Sequence, residues 1–185
     1  MTTLPTAFGL AGWSGSGKTT LVRALIPALV ARGLRVSTIK HAHHDFDVDR
    51  PGKDSYEHRA AGAGEVLVSS ARRWALMHEH RGDREPTLDE LLAKLAPCDL
   101  VLVEGFKGET HPKLEVHRPS VGKPRLAGEV PGVVAVASDE PLDGDGLPVL
   151  GLNDVAGIAD FILDYTGLAA AHRAPGAPGA AGQGG

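Results

Sequence analysis

Several absences bound this sequence before any motif is considered. A single cysteine, Cys98, stands among 185 residues, so no internal disulfide can form. It directly precedes a predicted buried strand and reads as a core thiol rather than a nucleophile. Aromatic residues make up only 4% of an otherwise ordinary α/β composition. No apolar run approaches the roughly 20 residues of a membrane span. Met1-Thr2-Thr3-Leu4-Pro5 lacks the basic and apolar regions of a signal peptide. Together with the lone cysteine, these absences lead us to expect a cytoplasmic protein. The formal net charge of −4 gives no general attraction to nucleic acid. No internal repeat of fixed period occurs. From Ala169 onward the chain is Ala, Gly and Pro with little else. Such a composition cannot build a core, so 169–185 is expected to be a disordered tail behind one domain over 1–168.

What is present begins with Gly12-Trp13-Ser14-Gly15-Ser16-Gly17-Lys18-Thr19, the G-x-x-x-x-G-K-[ST] pattern of a phosphate-binding P-loop. The apolar run Ala7 to Ala11 precedes it and suits a buried strand. After it, Leu21, Val22, Leu25, Leu29 and Val30 recur at helical spacing. Glycines at 12, 15 and 17 let the backbone turn its N–H groups inward. The N-terminus of the following helix adds partial positive charge. Lys18 can reach the β- and γ-phosphates, and the Thr19 hydroxyl can ligate magnesium.

Further along, Leu34 to Lys40 reads as a second strand and 41–55 as a long polar loop. A short helix follows, capped by Asp54 or Ser55 and stopped at Gly62. Glu65–Ser70 and Trp74–His78 read as strands. Thr87 with Glu90 forms a capping box for a helix burying Leu88, Leu91, Leu92 and Leu95. Asp99 to Gly105 has the shape of a Walker B element, a buried strand that carries Glu104 to the metal end. Asp99, at its other end, is expected to be a surface or capping residue. Lys113 to Arg118 alternates, which predicts a half-exposed strand able to offer a pairing edge. Val133–Ala137 and Leu147–Leu150 read as late strands. Asn153 or Asp154 caps a final helix with Val155, Ile158, Ala159, Ile162 and Leu163 inward.

These stretches together resemble the molybdopterin-guanine dinucleotide biosynthesis protein B (MobB) family. The match is carried by Ala11 to Thr20, Ile39 to Asp45 with Asp47 to Asp49, Pro51 to Ser55, and Val103 to Lys107. Arg73–Met77 and Ala135–Asp139 also fit, and the likeness runs from about Phe8 to Tyr165. Residue 42 is Ala where Thr is expected in much of the family. The resemblance implies an α/β, P-loop NTPase-like three-layer sandwich with a mostly parallel sheet. It also implies a GTP-binding accessory protein with weak hydrolysis, acting beside a MobA-type guanylyltransferase that attaches GMP to molybdopterin. Molybdopterin is a candidate ligand, and a homodimer is expected.

By position, Gly12, Ser14, Gly15, Ser16, Gly17, Lys18, Thr19 and Thr20 would bind the nucleotide. Lys18 and Glu104 would be catalytic, and Thr19 and Glu104 would serve magnesium. His43, Asp45, Asp47, Asp49, Lys53 and Lys107 form a candidate second-ligand or switch set. Asp45, Asp47 and Asp49 alternate, so in extended chain they point one way. They either approach the metal or attacking water, or form a solvated acidic loop. His41, His43 and His44 do not have zinc-site spacing.

No Asn-Lys-x-Asp guanine-reading motif occurs. Asp139 and Asp154, which follow late strands, are the candidate base contacts. No arginine finger or water-positioning glutamine stands out, so hydrolysis should be slow. Two rival readings use the same residues. One is a small-molecule kinase with Asp47 or Asp49 as base. The other is a non-hydrolysing adaptor that holds GTP as a structural ligand.

Overall fold

The structure is a computed structural model that describes residues 4–42, 46–143 and 145–171. The chain forms two compact units, a division that falls within the 1–168 span. One comprises 1–41 and 88–185, and the other is the intervening 42–87.

The larger unit is a six-stranded sheet in the order β2-β5-β1-β6-β7-β8. Its strands are β1 (Thr6–Ala11), β2 (Val36–Lys40), β5 (Leu100–Glu104), β6 (Lys113–His117), β7 (Val133–Ser138) and β8 (Val149–Gly151). Every pairing in it is parallel. Strands covered on both faces read as nearly continuous apolar runs, which is why β5 shows four apolar residues before its acid. One face carries Phe8, Leu10, Leu100, Leu102, Leu114 and Val116 into a core shared with α1 (Lys18–Val30) and α4 (Val155–Thr166). The other face sends Val101 and Val103 against Leu88 and Leu92 of α3 (Leu88–Leu92), with Cys98 packed at the margin as expected. The expected three layers and mostly parallel sheet are therefore present in this unit. Asp154 caps α4 by accepting from the Gly157 amide at 2.9 Å. Asp99 pairs with Arg35 at 3.0 Å at the far end of β5. The last helix, α5 (Leu168–Ala171), runs into the expected tail; residues 172–185 lie outside the described part.

β6 corrects the sequence reading. The alternation of Lys113, Glu115 and His117 with Leu114 and Val116 predicts a half-exposed strand with a free edge. Instead β6 lies between β1 and β7, and all five of its residues are buried. Its polar face is satisfied internally, as buried charges require. The Lys113 ammonium donates to the Glu109 carbonyl and, at 3.0 Å each, to the carbonyls of His111 and Pro131. The Glu115 carboxylate accepts from the amides of Leu126 at 2.7 Å and Ala127 at 2.9 Å. No pairing edge remains on this strand.

His111, just before β6, has both ring nitrogens buried with no hydrogen-bond partner. Burial, and secondarily the Lys113 charge, push its imidazole from 6.5 down to about 4. The folded state therefore holds this ring neutral, while the unfolded chain takes up a proton near 6.5. Its contribution to stability is complete above pH 6.5 and is lost as pH falls towards 4. We expect the melting temperature to fall across that window, and a His111→Leu variant to fall less. Thermal denaturation of both proteins from pH 7 to 4.5 measures the difference.

The smaller unit holds α2 (Asp54–Ala60) and an antiparallel hairpin of β3 (Glu65–Ser69) and β4 (Trp74–His78). Leu67 faces Leu76 and Ser69 faces Trp74 across it. Leu67, Trp74 and Leu76 thus share one face of the ribbon, at 61%, 65% and 45% exposure.

Candidate functional site

The carboxyl edge of the large sheet gathers the phosphate-loop chemistry. β1 ends at Ala11, and the loop 12–17 leads directly into α1 at Lys18. Gly17, the N-cap of α1, has φ 98°, a left-handed conformation that favours glycine. A Cβ on Gly12 would meet the Val116 carbonyl oxygen and Ser16 Oγ at 2.6 Å each, so this position also has no room for a side chain. Ser16 Oγ is buried and has no hydrogen-bond partner among the described residues. Ser14, Thr19 and Thr20 are exposed.

The Lys18 ammonium donates to the carbonyls of Gly12 and Trp13, at 2.9 Å each, and so lies folded over its own loop. Burial draws its pKa below the ordinary lysine value. Glu104 opposes that shift, while Lys107 and Lys40 add to it. Three ammonium groups near one carboxylate make the locality electropositive, as a polyanion site requires.

β1 and β5 are neighbours, with Leu10 opposite Glu104. That register brings Thr19 Oγ1 within 3.3 Å of Glu104 Oε1, to which it donates. A hydroxyl beside a carboxylate, both hard oxygen donors, suits magnesium completed by water and phosphate oxygens. Among the described residues no group of three or more His, Cys, Asp and Glu could hold a metal ion by itself. Directly after Glu104 the chain turns through Gly105 at φ 101° and Phe106 at φ 50°. Phe106 packs against the His41 ring in a tilted arrangement, 4.8 Å between centroids. A non-glycine residue held at positive φ stores strain, and such strain clusters at functional sites. The turn places Lys107 Nζ 5.1 Å above the Trp13 ring, whose Nε1 donates to the Pro124 carbonyl at 2.7 Å.

The structure thus brings together Lys18, Thr19, Glu104 and Lys107 of the expected set. The remaining members are placed otherwise. His43 and Asp45 lie outside the described residues. Lys53 is exposed at the N-cap of α2. Asp47 and Asp49 meet in the smaller unit, where Arg59 binds both, at 2.8 and 2.6 Å, and also Glu79 at 2.8 Å. Arg59 holds the Asp49 carboxyl below its ordinary range, chiefly through that hydrogen bond. Asp47, Tyr56, Arg59, Glu79 and Arg81 line a cleft of about 210 Å³ there. An Arg59→Ala variant should loosen this unit. Amide exchange across 46–87 should quicken roughly tenfold, the equivalent of one charged hydrogen bond. Exchange in the large sheet should stay unchanged.

Two arginines were not legible as functional residues. Arg59 carries no sequence signal beyond a helical position. Arg118, the first residue after β6, donates from Nε to the Ser16 carbonyl at 3.0 Å and from Nη1 to Asp139 Oδ2 at 2.7 Å. Its position just past a strand at the carboxyl edge was the available signal.

Comparison with known proteins agrees with this geometry. The family model described as molybdopterin guanine dinucleotide synthesis protein B matches residues 7–139. The molybdopterin-guanine dinucleotide biosynthesis adapter protein of Escherichia coli K12 is 50% identical over 158 residues, covering 84% of this chain and 90% of that protein. The protein of the same name from Haemophilus influenzae is 46% identical over 159 residues, covering 85% and 87%. A crystal structure of a MobB homolog from Bacillus stearothermophilus superposes with a TM-score of 0.65 at 29% identity, covering 88% of this chain and 98% of that one. The sheet order, the Lys18–Thr19–Glu104 arrangement and these likenesses converge: the chain belongs to the molybdopterin guanine dinucleotide synthesis protein B (MobB) family.

Proposed function

We propose that this protein is a GTP-binding adaptor of molybdopterin guanine dinucleotide biosynthesis that hydrolyses GTP slowly. The observation that carries the reading is the Thr19–Glu104 contact at 3.3 Å beside Lys18 folded over the P-loop. Residues 12–20 hold the phosphates, with backbone amides and the α1 N-terminus facing the negative charge. Lys18 leaves its two carbonyl partners for the β- and γ-phosphates. Thr19 and Glu104 hold magnesium, which supplies neutralisation of phosphate charge when bound. Lys107 adds a cation at the loop mouth. Asp139 and Asp154 are the candidate base contacts.

The names of the relatives support the pathway and the word adaptor. A MobA-type guanylyltransferase is the partner, with molybdopterin as a further candidate ligand and the cytoplasm as the setting. No described helix is long and apolar enough to cross a membrane. The kinase alternative would use Asp47 or Asp49 as base, and Arg59 already engages both carboxylates. Phosphate release from GTP with magnesium, measured with and without the guanylyltransferase, tests the proposal. Slow release raised by the partner supports it. Stoichiometric GTP binding without turnover in either condition leaves the non-hydrolysing adaptor.

The protein forms a homodimer in this proposal. A two-stranded hairpin alone is marginally stable, and this one exposes Leu67, Trp74 and Leu76 on one face. Trp74→Asp should weaken self-association about thirtyfold or more, the scale of an aromatic interface anchor. Sedimentation velocity across a concentration series reads this directly.

A further inference from the structure

β6 and β7 pair in parallel, with His117 opposite Ser138. The next residue of each strand, Arg118 and Asp139, therefore emerges side by side at the carboxyl edge, on the β6 side of the P-loop strand. Arg118 is bound at both ends of its guanidinium. Nε donates to the Ser16 carbonyl at 3.0 Å, and Nη1 donates to Asp139 Oδ2 at 2.7 Å. A Cβ built on Gly17 would lie 3.3 Å from Arg118 Nε, so the guanidinium rests against the phosphate loop itself. Asp139 is fixed from its own side as well. Ser138 Oγ accepts from the Glu140 amide at 3.1 Å and pins the turn that presents it.

We propose that Asp139 reads the guanine edge of the nucleotide and that Arg118 is the positioning residue that aims it and ties it to the phosphate loop. The inference rests on the GTP reading given above. A carboxylate has about four acceptor positions, of which the Arg118 bond uses one. The remaining positions accept from two parallel donors, and guanine offers such a pair in N1–H and N2–H. Adenine presents an unprotonated N1 at the same place, which a carboxylate repels. A site built to pair with a donor discriminates strongly against an analogue that lacks it. The other candidate, Asp154, is committed elsewhere. Its Oδ1 takes the Gly157 amide at 2.9 Å, and its Oδ2 lies 2.4 Å from where a Gly157 Cβ would stand, so the carboxylate is folded onto its own helix. The Arg118 bridge makes base and phosphate recognition one mechanical unit, because the residue that orients Asp139 also holds the carbonyl of Ser16.

The test is calorimetric titration of the full chain with GTP, ATP, XTP and inorganic tripolyphosphate in magnesium. It uses wild type, Asp139→Asn, Arg118→Ala and Arg118→Lys, each confirmed as folded by thermal melting. Xanthine carries a carbonyl where guanine carries the N2 amine, and an asparagine amide can donate to that carbonyl. We expect Asp139→Asn to weaken GTP by about ten- to hundredfold and to strengthen XTP on a similar scale, with ATP bound no less tightly because the carboxylate that repels adenine N1 is gone. Arg118→Ala should lower the GTP-over-ATP preference by about tenfold, and Arg118→Lys should keep part of it. An intact GTP-over-ATP preference in Asp139→Asn overturns the base-reading inference while leaving the GTP site standing. If Arg118→Ala weakens GTP, ATP and tripolyphosphate equally, the positioning role of Arg118 is overturned. A wild-type protein that binds tripolyphosphate but shows no preference for GTP overturns both the guanine reading and this inference.

Discussion

Lys18→Ala is expected to weaken GTP binding by at least about a hundredfold, with little change in folding stability. The ammonium has two partners now, the carbonyls of Gly12 and Trp13. In the proposed GTP complex it would exchange these neutral acceptors for phosphate oxygens that carry formal charge. Charge-assisted hydrogen bonds are roughly twice as strong as neutral ones. Burial draws the Lys18 pKa down and Glu104 draws it up, and a bound polyanion would add to the upward pull. The stability cost is small, about 1 kcal/mol or less, because the side chain belongs to neither apolar cluster and leaves only two loop carbonyls to hydrate. Equilibrium titration alongside thermal melting separates the two effects. Undiminished affinity for GTP in Lys18→Ala would contradict the phosphate-loop assignment.

Glu115→Ala should behave in the opposite way, with a large loss of stability. Glu115 is 1% exposed and satisfies two backbone amides, those of Leu126 and Ala127. Truncation leaves the buried Leu126 donor unpaired, at about 1–3 kcal/mol, and the half-buried Ala127 donor unpaired at the lower end of that range. The Arg125 guanidinium, whose Nε lies 3.9 Å from Glu115 Oε2, also loses its buried counter-charge. Arg125 keeps Asp145 at 2.9 Å, which limits that second loss. A total of about 3–5 kcal/mol is a large share of the roughly 5–15 kcal/mol available to a domain. At this chain length it lowers the melting temperature by roughly 10 °C. Glu115→Gln retains one acceptor oxygen and should recover about half. Urea unfolding of the three proteins gives the values.

How much was legible in the sequence follows from which residues act locally. The glycine-rich loop and its flanking strand and helix are contiguous, so their placement, with β1 ending at Ala11 and α1 starting at Lys18, could be read directly. The strand β5 was legible for a similar reason: burial on both faces leaves four apolar residues and a terminal acid. The Asp154 cap and the α4 apolar stripe are also local signals. β6 was not legible. Its alternation is the mark of a strand with one wet face, and only tertiary partners show that the polar face is dry. Lys113 finds the carbonyls of Glu109 and His111 just before the strand and that of Pro131 beyond it, and Glu115 finds the amides of Leu126 and Ala127, none of which the strand's own pattern shows. Arg59 and Arg118 were missed for the same reason, since their partners lie 10 to 102 residues away. The alternating aspartates 47 and 49 do come together as the spacing suggested, and the group they meet is Arg59.

Residues 12–19 with Glu104 are proposed to form a magnesium-dependent GTP site. The most direct measurement is equilibrium titration of the purified full chain with GTP and ATP, with and without magnesium. Saturable binding is expected at one site per chain, tighter for GTP than ATP, and weakened when magnesium is withheld or Glu104 is changed to Gln. No saturable nucleotide binding, or binding indifferent to both magnesium and Glu104→Gln, would contradict it.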